Sequence, residues 1–236
     1  MRYLICLILI LCAGIVSAEI LFHDDFESGE IDTDKWSPQG SWVIEDNADG
    51  HDALGNSVLF IPGGEVGLSV DDFPEEYDYY ADFKATQNGL TGFVFHGQDA
   101  NNIYMHQVST DGSGHTPQHI RWHRRVNGGW AAEPGAFEDG VDREANVWYR
   151  SKFEVRSGSN FKAYIGPIGG DSDELSFVSE WTDSEGAFST GKIGFRMSGA
   201  EHAQYDNITV VTPGGNPAPV EPKGKIAVTW GNLKHK

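Results

Sequence analysis

The amino-acid sequence predicts an all-β protein built as an antiparallel two-sheet jelly-roll sandwich. Apolar and polar residues alternate with period two from residue 20 to about residue 212, which is the period of half-buried strands. Clusters of Gly, Asn and Asp such as Asn127-Gly128-Gly129 interrupt the alternation at short intervals, as expected of tight turns. No segment shows a helical period, and strands without intervening helices indicate antiparallel sheets.

The predicted strands follow one another from the first alternating segment to the last. In order they cover residues 21–27, 42–44, 57–61, 79–85, 92–96, 103–108, 120–126, 148–155, 161–165, 191–196 and 204–210. The first and last each place a carboxylate beside an aromatic ring, Asp25 before Phe26 and Tyr205 before Asp206. This similarity predicts that the two strands lie side by side in one sheet.

Residues 1–18 have the pattern of a secretory signal peptide. Arg2 supplies the positive charge, residues 3–11 are almost wholly apolar, and small residues end at Ala18. The apolar run is short for a transmembrane helix. We therefore expect export, with cleavage near Ala18, to a secreted, extracellular or periplasmic location.

Both cysteines of the chain, Cys6 and Cys12, lie in this leader. The mature chain is therefore expected to have no thiol, and its stability must come from packing, to which a bound ion can add. A lipoprotein anchor on Cys12 is an alternative, but Leu11 stands where a small residue is expected.

The charge balance is strongly acidic, with 17 Lys and Arg against 35 Asp and Glu and a net charge of −18. Such a chain repels nucleic-acid phosphates, so nucleic acid is not expected as a partner. The balance favours neutral or cationic ligands and divalent cations.

The C-terminal residues differ in composition from the predicted domain, which covers residues 19–212. Residues 213–222 are rich in Pro and Gly and have the composition of a linker. Residues 223–236 carry four lysines and no acid, with Ile226, Val228 and Trp230 alternating. A strand that docks on a protein partner, a retention signal and an unstructured tail are all consistent with this composition.

Several short motifs together resemble the concanavalin A-like lectin/glucanase superfamily, the laminin-G-like jelly rolls, over residues 20–212. They lie at residues 21–26 with Trp36, 42–46, 92–96, 101–104, 146–150, 191–195 and 205–210. Similar proteins include carbohydrate-binding modules, family 16 glucanases and 3-keto-disaccharide hydrolase-like domains. The resemblance implies two curved sheets with glycan on the concave face. It does not choose between lectins, hydrolases and adhesion modules.

The same resemblance implies a structural Ca²⁺ where the first and last strands meet. Asp25 and Asp206 match those positions, with Glu27 and Glu45 as possible further ligands. Calcium takes six to eight oxygens from carboxylates and backbone carbonyls. The alternative is that both aspartates only accept hydrogen bonds from backbone N–H groups.

Strand parity predicts a carbohydrate-binding surface on three neighbouring strands. If the large apolar residues face the core, then the opposite face presents His96, Tyr104, His106, Arg121 and His123. Aromatic faces contact sugar C–H groups and arginine forks bind hydroxyls. An ordinary solvated sheet face is one alternative, and a zinc site formed by the three histidines is another.

No catalytic residue is predicted. Residues 30–34 superficially resemble a glucanase Glu-x-Asp-x-Glu run, but the third acid is Asp34 and the run follows the first strand in a Gly-led turn. The acidic segment 46–52 lacks EF-hand spacing because of Ala48. No Gly-x-Ser-x-Gly elbow occurs.

Taken together, the sequence predicts an exported, non-catalytic, lectin-like module that binds a glycan or polysaccharide. A glycoside hydrolase of the 3-keto-disaccharide or glucanase type is the alternative enzyme, with acids from loops. A surface protein-interaction module, connected through residues 223–236, is the third hypothesis.

Overall fold

The structure is a computed structural model that describes residues 19–51, 53–64, 66–87, 89–113, 120–131, 136–137, 143–168 and 174–217. Within these residues the chain forms two antiparallel β-sheets, and a 3₁₀ turn lies at Asp111–Ser113. This confirms the predicted all-β fold. The predicted signal peptide and the basic C-terminal residues lie outside the described residues.

The strands are numbered in chain order and divide into two sheets. Sheet one has the order β14 (Ser176–Thr182), β13 (Asn160–Pro167), β12 (Tyr149–Arg156), β6 (Tyr77–Gln87), β16 (His202–Val211), β4 (Ser57–Ile61) and β3 (Val43–Asp46), with β1 (Ile20–Asp24) also paired to β16. Sheet two has the order β10 (Gly129–Ala131), β9 (Ile120–Val126), β8 (Asn102–Ser109), β7 (Leu90–Asp99), β15 (Lys192–Arg196), β5 (Val66–Ser69) and β2 (Trp36–Ser37), with β11 (Ala136–Phe137) paired to β9.

The first and last strands are neighbours, as predicted. Phe22 pairs with Val210 and Asp24 with Ile208. The carboxylate of Asp24 accepts a hydrogen bond from the indole N–H of Trp36 at 2.7 Å, so the first strand is also fixed to sheet two. Both ends of the domain therefore close in one sheet.

Strand β16 exchanges one neighbour for another halfway along its length. Residues 203–205 pair with β4, and residues 208–211 pair with β1. Between them lie Asp206 and Asn207, where Asn207 has a left-handed φ of 50°. This irregularity interrupts the pairing of β16 with β6 directly after the pair formed by Asp206 and Asp82.

The core is a layer of aromatic rings between the facing sides of the two sheets. Phe153 of β12 lies 4.9 Å from both Phe93 and Phe95 of β7, measured between ring centroids. Tyr205 of β16 stacks on Phe195 of β15 at 3.9 Å. Burial of each such ring contributes roughly 1.5–3 kcal/mol, so ring packing provides stability that no disulfide supplies.

Five strands were not predicted from the sequence: the short β2, β10 and β11, and the longer β5 and β14. Every residue of β5 is buried, so its sequence lacks the polar alternation that marks a half-exposed strand. A second apolar cluster explains this burial, because Val66 and Leu68 of β5 pack with Val94, Ile103 and Met105 on the outer face of sheet two.

Candidate functional site

The outer face of sheet two carries a groove around Trp130, which we call the Trp130 groove. It consists of two cavities of about 450 and 520 Å³ that share the side chains of Trp130, Arg196 and Ser198. The remaining polar lining comes from Gln39, Asn101, Gln107, Arg121, His123, Arg125 and Glu201. Cavities of this size accommodate small ligands or a few units of a polymer.

The strand register places the polar side chains of the groove on one face. Directly paired residues of antiparallel strands share a face. Arg125 pairs with Ile103, His123 with Met105, and Arg121 with Gln107. Trp130 pairs with Arg125 through the hairpin that joins β9 to β10. The apolar members of these pairs form the floor of the groove.

Trp130 is the aromatic centre of the groove, and 41% of its surface is exposed. The guanidinium carbons of Arg125 and Arg196 each lie 5.2 Å from the centroid of its ring. The His123 ring meets the indole edge-on at 5.3 Å. These cation–π contacts hold two guanidinium groups against the same indole.

The three arginines of the groove lack carboxylate partners among the described residues. Arg125 donates to the carbonyl oxygens of Ala100 at 2.8 Å and Gly128 at 3.2 Å. Its anchors are therefore neutral. Arg121 Nε is buried without a hydrogen bond, and no hydrogen bond or ion pair joins the Arg196 side chain to the described part of the chain.

Glu201 is the one carboxylate that the described residues contribute to the groove lining. Its Oε2 accepts a hydrogen bond from the Ser198 N–H at 2.6 Å. Burial raises the pKa of Glu201 above its ordinary value, although that N–H and the Arg196 guanidinium act in the opposite direction. The described lining therefore combines three arginines with a single acid, whose pKa is raised.

Of the predicted carbohydrate-binding residues, Arg121 and His123 line this groove, but Tyr104 and His106 do not. The predicted orientation of those two side chains was wrong. Tyr104 pairs with Phe95 and His106 with Phe93, so both face the core. The error arose because Ile103 and Met105, expected in the core, form the apolar floor on the outer face.

The two inward side chains take part in buried contacts. Tyr104 donates its hydroxyl hydrogen to Asp183 Oδ2 at 2.6 Å, and burial raises the pKa of Tyr104 to about 12. The His106 ring lies 4.3 Å from the Trp122 ring. Burial, followed by the nearby Arg143 charge, lowers the pKa of His106 well below its ordinary value. Both roles are structural.

His96 is also buried, and the predicted position of its side chain on an open surface was wrong. Its backbone has a left-handed φ of 43°, at an irregularity in the pairing of β7. Its ring packs against Tyr77 and Phe161 inside the sandwich.

The alternative of a zinc site is not supported within the described part of the chain, where no three His, Cys, Asp or Glu side chains converge. His106 and His123 lie on adjacent strands but on opposite faces of sheet two.

The sequence reasoning missed Arg125, Trp130, Arg196 and Glu201. One signal could have found Arg125, because it continues the alternation of Arg121 and His123 along β9. Trp130 follows the predicted turn by one residue and pairs back onto β9. Arg196 and Glu201 come from sequence-distant segments, and only the sheet order brings them to the groove.

The proposed cation position lies at Asp206, beside the irregularity in β16. Asp206 is fully buried, and its Oδ2 has no hydrogen-bond partner. Burial raises the pKa of Asp206 to about 8, and the carboxylates of Asp82 and Asp25 add to the rise. Asp82 itself forms a two-point ion pair with Arg150, at 2.7 Å for both bonds.

Both aspartates accept backbone hydrogen bonds, as the alternative predicts: Asp206 Oδ1 from the Asn207 N–H at 2.7 Å and Asp25 Oδ1 from the Glu27 N–H at 3.2 Å. No three His, Cys, Asp or Glu side chains converge here among the described residues, so the cation stays a proposal that rests on Asp206 Oδ2. A buried carboxylate oxygen without a donor requires a proton or a positive charge nearby, and Ca²⁺ can add backbone carbonyls to two carboxylates. Glu45 and Glu27 are less suited, because Glu45 accepts from Gln204 at 2.8 Å and Glu27 accepts from the Ser57 N–H at 2.9 Å.

The two acidic segments that the sequence analysis set aside have local structural contacts. Asp32 Oδ1 accepts from the backbone N–H of Asp34 at 2.9 Å, as in a turn. Asp49 accepts from the Trp148 indole N–H at 2.7 Å and pairs with Lys84.

Comparison with solved structures finds proteins of similar fold at low sequence identity, which supports the resemblance at the level of the fold alone. The carbohydrate-binding module CBM66 from Bacillus subtilis has a TM-score of 0.54 and 20% identity, with 74% of this chain and 93% of that chain covered. A protein of unknown function from Shewanella oneidensis MR-1 has a TM-score of 0.54 and 13% identity, with 83% and 87% covered. A xylan β-1,4-xylosidase from Bacillus halodurans C-125 has a TM-score of 0.53 and 9% identity; 80% of this chain but only 38% of that chain is covered.

Neither a protein-family model nor a curated protein sequence matches the chain. In the part of the chain that the structure describes, no helix is long and apolar enough to cross a membrane.

Proposed function

We propose that the chain is an exported carbohydrate-binding module whose glycan ligand occupies the Trp130 groove. The observation that carries the proposal is the exposed indole of Trp130 with two arginine forks beside it. The fold similarity to a protein described as a carbohydrate-binding module is consistent with this role.

Each part of the groove has a physical role in binding a sugar. The exposed part of the indole offers an apolar surface to sugar C–H groups. Arg196 and Arg121 offer N–H donors that no described residue occupies with a carboxylate, and hydroxyl or ring oxygens can accept them. Gln107 and Asn101 add amide groups at the margins.

Binding without cleavage agrees better with the described lining than hydrolysis does. Hydrolysis by the retaining route needs two carboxyl groups about 5–5.5 Å apart, and the described residues supply only Glu201 to the groove. A hydrolase remains the second candidate because a buried acid with a raised pKa is suited to general-acid catalysis.

The experiment that tests the proposal is a glycan array with the wild type and Trp130→Ala. Loss of the exposed indole should weaken binding about tenfold or more, because both an apolar contact and the support of two guanidinium groups disappear. Phe177→Ala is the matched control, since Phe177 is an exposed aromatic residue (54%) of sheet one.

Three results would contradict the proposal. Unchanged binding by Trp130→Ala would remove the groove from glycan recognition. Release of shortened sugars from a bound glycan, abolished in Glu201→Gln, would favour the hydrolase instead. Co-purification of a protein partner that depends on residues 223–236 would favour the interaction module.

A further inference from the structure

We propose that the Trp130 groove selects acidic glycans. Its side chains Arg121, Arg125 and Arg196 bind the carboxylate or sulfate groups of the sugar. This inference rests on the proposed glycan-binding function and specifies the class of ligand. It reverses the expectation from the whole-chain charge, which favoured neutral or cationic ligands.

The first argument is the local charge of the groove. The chain carries a net charge of −18, with 35 acids against 17 Lys and Arg. The described lining of the two cavities nevertheless contains three arginines and one glutamate. In a protein with this many acids an arginine is expected to form an ion pair. No ion pair joins these three arginines to a described residue.

The contrast with other arginines of the chain strengthens this argument. Arg124, next to Arg125 in β9, points to the other side and binds Asp183 at 2.6 Å and Glu185 at 2.8 Å. Arg150 binds Asp82 and Arg156 binds Asp78. These three arginines thus receive acids from the fold, whereas no described carboxylate forms an ion pair with the three arginines of the groove.

The second argument is the preorganisation of these side chains. Arg125 and Arg196 lie 5.2 Å from the same indole, and two carbonyl oxygens fix Arg125 further. Holding two guanidinium groups close together costs Coulomb energy: burial lowers the pKa of Arg196 and the charge of Arg125 lowers it further, although the Glu201 charge acts in the opposite direction. An anion bound between them removes this repulsion, and a neutral sugar does not.

The guanidinium groups of the groove also fit acidic sugar groups chemically. A guanidinium fork binds carboxylate or sulfate oxygens through two parallel N–H bonds, which are roughly twice as strong as bonds to neutral acceptors. The negative charge of the rest of the molecule opposes this only weakly at physiological salt, because screening reduces interactions beyond about 8 Å. Local contacts in the groove therefore decide the preference.

The test uses matched pairs of sugars on the full-length mature chain. Oligomers of galacturonate, mannuronate and guluronate are compared by calorimetry with their carboxyl-reduced neutral counterparts of the same length. A sulfated galactan oligomer and its desulfated form make a separate arm that distinguishes sulfate from carboxylate. At least one acidic member should bind about tenfold or more tightly than its neutral counterpart.

Arginine variants assign the preference to the groove. Arg196→Gln and Arg121→Gln should each lose most of the preference for the acid, and Arg196→Lys should recover only part of it because the fork is missing. Lys162→Gln is the matched control: it also removes one positive charge, but from an exposed pair with Glu180 in sheet one. Thermal unfolding of each variant verifies that the fold is intact.

The possible outcomes separate the two proposals. Equal binding of acidic and neutral members, or full preference in Arg196→Gln, overturns the acidic-glycan inference and leaves glycan binding standing. Absence of binding to every acidic and neutral glycan overturns both. Lys162→Gln matching Arg196→Gln would show that only net charge matters, and this also overturns the assignment.

Discussion

At the scale of single residues, Arg196 and Asp206 are two ionisable side chains that form no ion pair with the described residues. Arg196 is a cation at the surface of a groove, where a ligand can reach it. Asp206 is an acid in the interior, whose Oδ2 has no hydrogen-bond partner. A charge without a hydrogen-bond partner is far more costly in the interior than at the surface, so Asp206 requires a proton, a cation or the charge of the nearby Arg150 guanidinium.

The first prediction concerns Asp206→Asn and the pH dependence of stability. The pKa of Asp206 rises from 3.8 to about 8 in the fold. Between these values the folded state keeps a proton that the unfolded chain has lost, so stability falls as the pH rises. In chelator, the Tm of the wild type should therefore fall relative to that of Asp206→Asn between about pH 4 and pH 8.

At pH 8, added calcium should raise the Tm of the wild type above that of Asp206→Asn, because only the wild type can offer a second carboxylate to the ion. Asp34→Asn, in an exposed turn, is the control for loss of one acid. Parallel pH curves for the wild type and Asp206→Asn would contradict the raised pKa. A Tm that does not respond to calcium would contradict the cation site.

At the scale of elements, the alternating segments of the sequence were sufficient to predict most strands and the pairing of β1 with β16. They were not sufficient to predict which face of a strand is the inner one. Along β8 both faces carry large side chains, with Tyr104 and His106 in the core and Ile103 and Met105 under the groove. A period of two shows that alternate residues lie on opposite faces, but it does not show which face is the inner one. Here the inner face is decided by the neighbouring strands.

The second prediction tests with Tyr104→Phe whether Tyr104 faces the core and not the Trp130 groove. The variant removes the hydrogen bond to Asp183, which keeps Arg124 as its ion-pair partner. We expect a loss of about 1–2 kcal/mol in the free energy of unfolding in urea, with glycan affinity unchanged. Arg121→Gln should behave in the opposite way, with weaker binding and nearly unchanged stability. Loss of binding in Tyr104→Phe at full stability would place Tyr104 in the ligand site.

At the scale of the whole molecule, net charge and local charge lead to different conclusions about ligands. The sequence-wide value of −18 includes every carboxylate of the chain, and many of them lie far from the groove or pair with lysines and arginines of sheet one. What a ligand meets depends on the side chains within about a Debye length. The charge of the chain could be predicted from composition, but the basic groove required the fold that joins β9, β10 and β15.

The last prediction concerns the boundary between the folded domain and the C-terminal residues. The predicted linker begins with residues that contact sheet one: Gly214 donates its N–H to Asp78 at 3.0 Å, and Gly215 accepts from the Tyr80 hydroxyl at 3.0 Å. Ending the chain after Pro217 keeps both contacts, so the Tm and glycan binding should not change. Ending it after Val211 leaves buried polar groups of Asp78 and Tyr80 with fewer partners, and the Tm should fall by roughly 4–10 °C. Equal Tm values of the two truncated chains would show that the domain ends with β16 and that these contacts contribute nothing. A lower Tm of the chain that ends after Pro217, relative to the full chain, would assign a stabilising role to residues 218–236.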